Sequence, residues 1–412
     1  MGTKSPNQRS GELAPEPVPL DSILLERCTA IFSEARTLPA QAYLSPEVFA
    51  WEGARFFETS WLCAGRSGDL SEPGDQRAVR IGSDAVLLVR GKEGELRGFF
   101  NTCRHRGHEL LPFGEEPVSR GYIRCPYHSW TYGLDGSFRT APGFADRPAF
   151  EPGDPEHGLV PVRVEEWGGW VFANCSEEAP DLMEHVGNLD QALQAYEPQR
   201  LVIEAAVDYE VQADWKVISE NYHECYHCEN IHPELCRVTP TDSGVQFVPT
   251  GLVVGGSMDL MDQAETMSLT GESRGVSFRR LDERRRREVH YFQLLPNLFI
   301  SAHPDYVLTH LLEPVAAGRT RVRCQWLFPP EARATENFDP SYAVEFWDLT
   351  NRQDWSACEG VQRGATGRGY RQAPLSSAEV GVYQFMAVVA RSYLAGRLTG
   401  PVPVPEDIPT RS

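Results

Sequence analysis

The chain has 412 residues, 41% of them hydrophobic, so it is long enough to bury a substantial core in two or more structural units. Its 39 basic and 58 acidic side chains give a net charge of −19, which repels nucleic acid and anionic membrane surfaces. No stretch approaches the roughly 18 consecutive apolar residues of a membrane span, and the N-terminus lacks the apolar region of a secretion signal. We therefore expect a cytoplasmic protein that binds neither nucleic acid nor membranes.

The two ends of the chain are rich in proline and polar residues, which form a core poorly. This composition predicts an extended or flexible N-terminus over residues 1–44 and a flexible tail over residues 401–412. Ser45 followed by Pro46 is typical of a helix start, and apolar residues at helical spacing follow it. A leading helix is therefore predicted over residues 45–60.

The middle of the chain divides into two kinds of pattern. Residues 61–175 contain short alternating runs separated by glycine-containing turns, which predicts a β-rich domain. Residues 176–400 mix helical and strand patterns, which predicts an α+β domain with an antiparallel sheet flanked by helices. The ten cysteines, in a chain without a secretion signal, favour free thiols and metal ligands over a disulfide framework.

Two short segments of the β-rich domain each combine one cysteine with one histidine. CRHRGHEL contains Cys103 and His105, and twenty residues after that histidine CPYHSWTYGLDG contributes Cys125 and His128. Zinc accepts this ligand set, but zinc fingers pair cysteine with cysteine and histidine with histidine. A Rieske [2Fe–2S] cluster takes two cysteines on one iron and two histidines on the other, which suits two mixed loops. His108 lies outside this pattern and is expected at the surface or beside a ligand.

A second group of metal ligands lies in ENYHECYHCENIHPELC, residues 220–236. One interpretation is a zinc knuckle with the ligands Cys225, Cys228, His232 and Cys236. Its spacing, C-x2-C-x3-H-x3-C, is one residue shorter in two gaps than the usual C-x2-C-x4-H-x4-C of zinc knuckles.

The other interpretation of this segment is the motif E-x-x-H-x-x-x-x-H, formed by Glu224, His227 and His232. On a regular helix the two histidines would point roughly 140° apart, so the helix must end or distort between them. Pro233 makes an end there plausible. Two imidazoles and one carboxylate from elsewhere form the facial triad of non-haem Fe(II).

The motifs C-x-H-R-G-x-x-L and C-x-x-H-x-W-x-Y-x-x-x-G, followed by E-x-x-H-x-x-x-x-H, resemble those of the α (oxygenase) subunits of Rieske non-haem iron oxygenases. The resemblance spans about residues 45–400. It implies a [2Fe–2S] cluster on the two Cys-His loops and a mononuclear Fe(II) on His227, His232 and a downstream carboxylate. In similar oxygenases the pattern E/Q-D-x-x-x-x-E-x-x-Q places that carboxylate at Asp354. Asp348 and Glu359 are the alternatives.

The same resemblance implies a catalytic role and an assembly. Glu224 would hydrogen-bond an iron ligand and reach the cluster histidine of a neighbouring subunit, which implies a homotrimer. Dioxygen would be the co-substrate. Because no G-x-G-x-x-G follows a predicted strand, electrons from NAD(P)H would come through a separate reductase or ferredoxin. Six arginines within Arg279–Glu288 form either a solvated helix face or a docking site for an acidic protein.

Residues 296–328 most resemble the glycine betaine and stachydrine demethylase branch of this family. That resemblance implies an oxidoreductase that hydroxylates an N-methyl group of a quaternary amine and releases formaldehyde. The alternative is hydroxylation or tailoring of an uncharged aromatic, alicyclic or natural-product substrate by the same centre. A quaternary ammonium is recognised by aromatic faces, for which the candidates are Tyr291, Phe299, Tyr306 and Trp355.

Overall fold

The computed structural model describes residues 17–114, 116–144, 150–176, 179–336, 338–405 and 410–411. Within these ranges the helices are α1 (Ser22–Cys28), α2 (Gln41–Leu44), α3 (Pro46–Glu52), α4 (Leu182–Val186), α5 (Leu189–Leu193), α6 (Trp215–Tyr222), α7 (Cys228–Ile231), α8 (Ser341–Ala365) and α9 (Val380–Ala395). None of these described helices is long and apolar enough to cross a membrane. The architecture is α+β, with sheets that are antiparallel apart from one short edge pairing, which confirms the predicted fold class.

A β-rich unit is built from a seven-stranded and a three-stranded sheet. Its strands are β1 (Leu62–Arg66), β2 (Asp75–Ile81), β3 (Asp84–Arg90), β4 (Leu96–Phe100), β5 (Val118–Ser119), β6 (Ile123–Arg124), β7 (Thr131–Tyr132), β8 (Phe138–Thr140), β9 (Pro161–Trp167) and β10 (Trp170–Asn174). The larger sheet has the order β1-β10-β9-β4-β3-β2-β5, and the smaller one β6-β7-β8. The turn between β9 and β10 consists of Gly168 and Gly169, both at positive φ, as a tight two-residue hairpin requires.

An eight-stranded sheet forms the centre of the second unit, in the order β11-β17-β16-β15-β14-β13-β12-β18. Its strands are β11 (Val202–Val211), β12 (Val245–Phe247), β13 (Val253–Asp259), β14 (Glu288–Leu294), β15 (Leu298–Ala302), β16 (Val307–Ala316), β17 (Arg319–Phe328) and β18 (Thr410–Arg411). The helix α6 packs against α8 and α9, and all three helices contact this sheet. The register pairs Gln293 and His310 with Phe299, so these three side chains lie on one face.

The N-terminal segment differs from the prediction of an extended end. Residues 17–44 pack onto the C-terminal helices, and α1 and α2 bury Leu25, Cys28 and Tyr43 there. Tyr383 on α9 donates a hydrogen bond to the carbonyl of Ala30. A few well-placed apolar side chains therefore fix a segment whose average composition suggests flexibility. Residues 1–16 lie outside the described part of the chain.

The predicted leading helix and the C-terminal tail are partly regular. Ser45 caps α3 by accepting a hydrogen bond from the backbone of Val48, and a π-helical turn then continues to Phe57. In the tail, Val402 is buried and Thr410–Arg411 pairs with β12, so these residues do not match a flexible segment. Residues 406–409 and 412 lie outside the described ranges.

The run Arg279–Glu288 does not form a regular helix, and half of its arginines are held by neighbouring loops. It contains only one short 3-10 turn, at Arg285–Arg287. Arg287 donates hydrogen bonds to the carbonyls of Ala264 and Met261, and Arg285 donates to that of Ala192. These arginines hold surrounding loops in place, so the predicted solvated helix face is wrong for them. Arg279, Arg280 and Arg284 remain exposed, so the alternative of a docking site for an acidic protein stays a prediction that rests on these three arginines.

A buried cluster of charged residues fixes the position of α6. Lys216 is fully buried and contacts Glu52 at 2.7 Å and Asp214 at 2.6 Å. Glu52 also accepts a hydrogen bond from the indole of Trp215, at 3.0 Å. Removing one partner of such a buried group leaves an uncompensated charge and costs about 3–5 kcal/mol. The start of α6 is thereby held to α3.

We expect Glu220→Gln, at the end of α6, to raise stability increasingly as the pH rises. Burial raises the pKa of Glu220 from 4.5 to about 8, and the hydrogen bond from Tyr43, at 2.8 Å, only partly opposes it. Between these pH values the folded protein binds a proton that the unfolded chain has released, so stability falls with pH by up to about 1.4 kcal/mol per unit. Glutamine removes that slope. Melting temperatures of both proteins from pH 5 to pH 8 measure it, and a constant difference would contradict the expectation.

Candidate iron centres and substrate cavity

The loop after α6 presents the two predicted iron-binding histidines. The helix α6 ends at Tyr222, and α7 is a separate short helix. His227 precedes α7, and His232 follows it with an extended φ of −121°, immediately before Pro233. The predicted interruption of the helix is therefore present, but it lies at the two histidines, which flank α7, rather than between them. It allows both imidazoles to reach the same point, which a continuous helix would prevent.

Asp354 on α8 completes a group of three metal-ligand types. Its Oδ1 lies 2.9 Å from Nε2 of His232 and 3.4 Å from Nε2 of His227. One ligand atom from each of the three residues lies within 4.8 Å of the other two. Two imidazoles and one carboxylate on one side of a point are the donor set of the facial triad for non-haem Fe(II). The donor set fits the ion that the sequence implies.

Each histidine of this triad is oriented through its other ring nitrogen. Nδ1 of His227 hydrogen-bonds Oε1 of Glu224, whose second oxygen accepts the backbone N–H of His227 at 3.1 Å. Nδ1 of His232 lies 2.7 Å from Oε1 of Gln353. Both Nε2 atoms are thereby directed towards Asp354. Gln353 is the E/Q of the E/Q-D motif, but the sequence alone assigned no role to it.

The electrostatics of the triad favour a positive charge at its centre. Burial raises the pKa of Asp354, but hydrogen bonds to His227 and His232 outweigh burial and lower it. Burial lowers the pKa of His227, but its contacts with Asp354 and Glu224 outweigh burial and raise it to about 10. A divalent cation would satisfy the same preference.

The alternative carboxylates on α8 have other partners. Asp348 accepts hydrogen bonds from the hydroxyl of Tyr209 and from Arg352. Glu359 accepts the backbone N–H of Gln212, at 3.1 Å. Both residues connect α8 to its surroundings, away from the two histidines. Asp354 is the carboxylate of this helix that lies at the triad.

A cavity of about 920 Å³ opens beside the triad and is lined by residues from α6, α8 and the sheet. Of the four predicted aromatic substrate contacts, Tyr291, Phe299 and Trp355 line it. Tyr306 does not: its ring stacks on His303 at 4.0 Å between centroids, and its hydroxyl donates to the carbonyl of Met267. The proposed substrate role for Tyr306 is therefore wrong, because its ring belongs to the core.

Sequence reasoning missed several cavity residues. Tyr222, Trp347 and His310 line the cavity together with the predicted aromatic residues. His310 was detectable in principle, because it lies opposite Phe299 on the neighbouring strand. Finding it required the register of β15 and β16, which the sequence alone did not provide.

The cysteines near the triad are not all free thiols. Cys225 and Cys228 form a disulfide, which corrects the prediction for these two residues. The bridge spans His227 and leaves neither sulfur as a thiolate, so the zinc-knuckle interpretation loses two of its four ligands. Cys236 keeps a thiol, which donates to the carbonyl of Cys228.

The four predicted cluster ligands converge on two loops of the β-rich unit. Cys103 and Cys125 are 98% buried, and their thiols are within hydrogen-bonding range of each other. The rings of His105 and His128 lie 4.9 Å apart, further outward, and His128 is exposed. Nδ1 of His105 is buried without a hydrogen-bond partner, which leaves it available to a ligand. The buried sulfurs and outer imidazoles fit the two ends of a Rieske cluster. His108 is exposed, as expected.

We expect Tyr132→Phe to lower the reduction potential of the cluster. The hydroxyl of Tyr132 lies 3.2 Å from Sγ of Cys103, and a hydrogen bond to a ligand sulfur stabilises the reduced form. Spectroelectrochemical titration of the intact protein measures the midpoint potential. The matched control is Tyr127→Phe, since Tyr127 is exposed and contacts the ring of His128. An unchanged potential in Tyr132→Phe would show that the hydroxyl does not act on the sulfur.

Comparisons with known proteins cover both units. The Rieske [2Fe-2S] domain family matches residues 60–151, and the catalytic domain of ring hydroxylating alpha subunits matches residues 198–395. The chain is 30% identical over 380 residues to the glycine betaine monooxygenase oxygenase subunit of Chromohalobacter salexigens, covering 85% of this chain and 84% of the relative. It is 32% identical over 355 residues to the carnitine monooxygenase oxygenase subunit of Escherichia coli K12, covering 85% and 90%. The crystal structure of the quaternary ammonium Rieske monooxygenase CntA with L-carnitine superimposes with a TM-score of 0.74 at 26% identity, covering 91% and 99%.

Proposed function

Because this chain belongs to the Rieske non-haem iron oxygenases, as an oxygenase (α) subunit, we propose that it removes a methyl group from a quaternary ammonium compound and releases formaldehyde. The observation that carries this proposal is the cavity beside the triad. Aromatic rings line it, and its charged side chains outside the histidines are acidic. Such a surface binds a cation that has no hydrogen to donate.

The enzyme uses a Rieske [2Fe–2S] cluster, a mononuclear iron and dioxygen, as its two family domains imply. We assign the cluster to Cys103, His105, Cys125 and His128, and the mononuclear iron to His227, His232 and Asp354. When bound, the two groups supply single electrons and activate dioxygen for insertion into a C–H bond. The positions of Glu224 and Gln353 support this assignment, since each holds the Nδ1 side of one proposed ligand.

The overall reaction balances without a further reactant. The trimethylammonium group, dioxygen, two electrons and two protons give the dimethylamine, formaldehyde, water and one proton. Hydroxylation first replaces one methyl C–H bond by C–OH. The resulting hemiaminal then breaks its C–N bond: the nitrogen keeps the electron pair, and the hydroxyl proton leaves as the carbonyl forms. Tyr291, Phe299 and Trp355 would hold the cation with a methyl group towards the triad.

A separate reductase or ferredoxin delivers the electrons in this family, and a small molecule is the substrate. We further propose a homotrimer in the cytoplasm, in which the cluster of one subunit serves the iron of its neighbour. The exposed ring of His128 supports this arrangement, because another chain can approach the cluster there. Light scattering of the intact protein measures the number of subunits, and a monomeric active enzyme would contradict the trimer.

Formaldehyde release tests the proposed reaction. The iron-loaded enzyme is mixed with a surrogate reductase, NADH and a panel of trimethylammonium compounds. We expect at least one compound to give formaldehyde in proportion to the NADH consumed above the substrate-free rate. Uncharged aromatic and alicyclic compounds form the second panel. Hydroxylated product from this panel, with no formaldehyde from the first, would replace the proposal by the alternative of tailoring an uncharged substrate.

A further inference from the structure

The cavity beside the triad contains acidic but no basic lining side chains among the residues whose side chains are described. The four carboxylates are Glu224, Glu229, Asp242 and Asp354. Two of them, Glu224 and Asp354, belong to the triad and its support, where they offset the two charges of a ferrous ion. Glu229 and Asp242 remain, and both are exposed at the outer part of the lining. Thr241, which also lines the cavity, donates a hydrogen bond to Oε1 of Glu229 at 3.0 Å.

The two other histidines of the cavity do not supply the missing positive charge. Burial lowers the pKa of His223 and of His310 to about 4, against weaker opposing contacts with Gln293 and Asn351. Both rings are therefore neutral at neutral pH. A substrate carboxylate entering this cavity would meet no Lys, Arg or charged histidine in the described lining outside the triad. It would also lose its hydration close to Glu229 and Asp242, which is unfavourable.

His310 instead provides an unused hydrogen-bond acceptor. Asn351 donates through Nδ2 to Sγ of Cys324, so its Oδ1 is the atom that lies 3.1 Å from Nε2 of His310. Nε2 must therefore carry the proton, and Nδ1 is left with a lone pair. His310 is 97% buried, and its Nδ1 has no partner. A buried acceptor without a donor is unfavourable, and a donor on a bound molecule would satisfy it.

We propose that the substrate is an N-methylated amino alcohol without a carboxylate, whose ammonium group lies against the rings of Tyr291, Phe299 and Trp355 and whose hydroxyl donates to Nδ1 of His310. This rests on the proposed N-demethylation and narrows its substrate class. Glycine betaine and carnitine both carry a carboxylate, which the cavity does not complement. Choline has the required chemistry and serves as the probe.

Three trimethylammonium compounds with the same two-carbon arm separate the effect of the substrate hydroxyl from the effect of the substrate carboxylate. Choline carries the hydroxyl, ethyltrimethylammonium carries neither group, and glycine betaine carries the carboxylate. With the iron-loaded enzyme and surrogate reductase, we expect kcat/KM for formaldehyde release to be about tenfold higher for choline than for ethyltrimethylammonium. We expect choline to exceed glycine betaine by at least about 100-fold.

Variants test separately the two proposed causes of the substrate preference, namely the acceptor on His310 and the negative charges of Glu229 and Asp242. His310→Phe should bring the ratio of choline to ethyltrimethylammonium close to one, whereas His310→Gln, which keeps an acceptor, should preserve part of it. Glu229→Gln combined with Asp242→Asn should reduce the preference for choline over glycine betaine. The control is Glu345→Gln, since Glu345 is exposed on α8 and does not line the cavity. Each ratio is measured within one variant, so a general loss of folded enzyme does not imitate the effect.

The possible results bear separately on the carboxylate-free substrate class, on the role of His310 and on the N-demethylation reaction. Glycine betaine turned over as fast as choline, or faster, would overturn the carboxylate-free class and leave N-demethylation standing. Equal rates for choline and ethyltrimethylammonium, or an unchanged ratio in His310→Phe, would overturn the role of His310. Formaldehyde from none of the three compounds, nor from the wider trimethylammonium panel, would contradict the proposed reaction and this narrower proposal with it.

Discussion

Asp354→Ala is expected to lose the mononuclear iron and to reduce turnover by more than about three orders of magnitude. The substitution removes the carboxylate that lies 2.9 Å and 3.4 Å from the two imidazoles and leaves two neutral ligands. A catalytic metal contributes several kcal/mol to transition-state stabilisation, so its loss is nearly complete inactivation. Iron analysis and formaldehyde release measure the two effects. The [2Fe–2S] spectrum should remain, because its proposed ligands lie in the other unit.

The neighbouring carboxylate Asp348 provides the matched control. Asp348→Ala removes an acid from the same helix, one that accepts hydrogen bonds from Tyr209 and Arg352. We expect it to retain the iron and most of the activity, with a modest loss of stability. Iron loss in Asp348→Ala together with retention in Asp354→Ala would mean that the carboxylate ligand has been assigned to the wrong residue.

The second large effect is expected for Glu224→Gln, which should keep both metals but lose about 100-fold in turnover. Glutamine retains an oxygen acceptor for Nδ1 of His227, so the ligand stays oriented. It removes the negative charge that supports this imidazole, and changes at such supporting positions cost about 10–100-fold in activity. In a single turnover with the cluster reduced beforehand, substrate and dioxygen should oxidise the cluster more slowly than in the unmodified enzyme.

The controls distinguish electron transfer from metal binding. Glu345→Gln makes the same change on the exposed side of α8 and should oxidise the cluster at the normal rate. Loss of iron from Glu224→Gln would identify Glu224 as a ligand and remove it from the electron route. An unchanged oxidation rate with lower product yield would place its role after electron transfer.

The local features of the proposed iron site were predictable because they depend on short-range geometry. The angular spacing of His227 and His232, with Pro233 next to them, required the helix to be interrupted, and in the structure α6 ends before His227 and α7 ends at His232. Asp354 lies more than a hundred residues away, and its approach to the histidines is a tertiary contact. Only the family motif pointed to it, since local periodicity does not distinguish Asp354 from Asp348.

The errors arise where distant partners override local composition. Tyr306 precedes β16 and stacks on His303, so its aromatic character alone did not show which side of the sheet its ring would occupy. Arg287 lies in a strongly charged run but is held by carbonyls of a loop more than twenty residues away. The N-terminal segment is Pro-rich, yet Leu25 has a complementary surface on the C-terminal helices.

The Cys225–Cys228 bridge has a practical consequence for handling the enzyme. Its two sulfurs enclose Tyr226 and His227, so opening the bridge frees the backbone that positions one proposed iron ligand. Dithiothreitol, added to protect iron–sulfur proteins from oxygen, also reduces disulfides. We expect two preparations of the same chain, one stored with dithiothreitol and one without, to differ in how quickly a chelator removes the mononuclear iron. Storage history would then become a variable in every activity comparison.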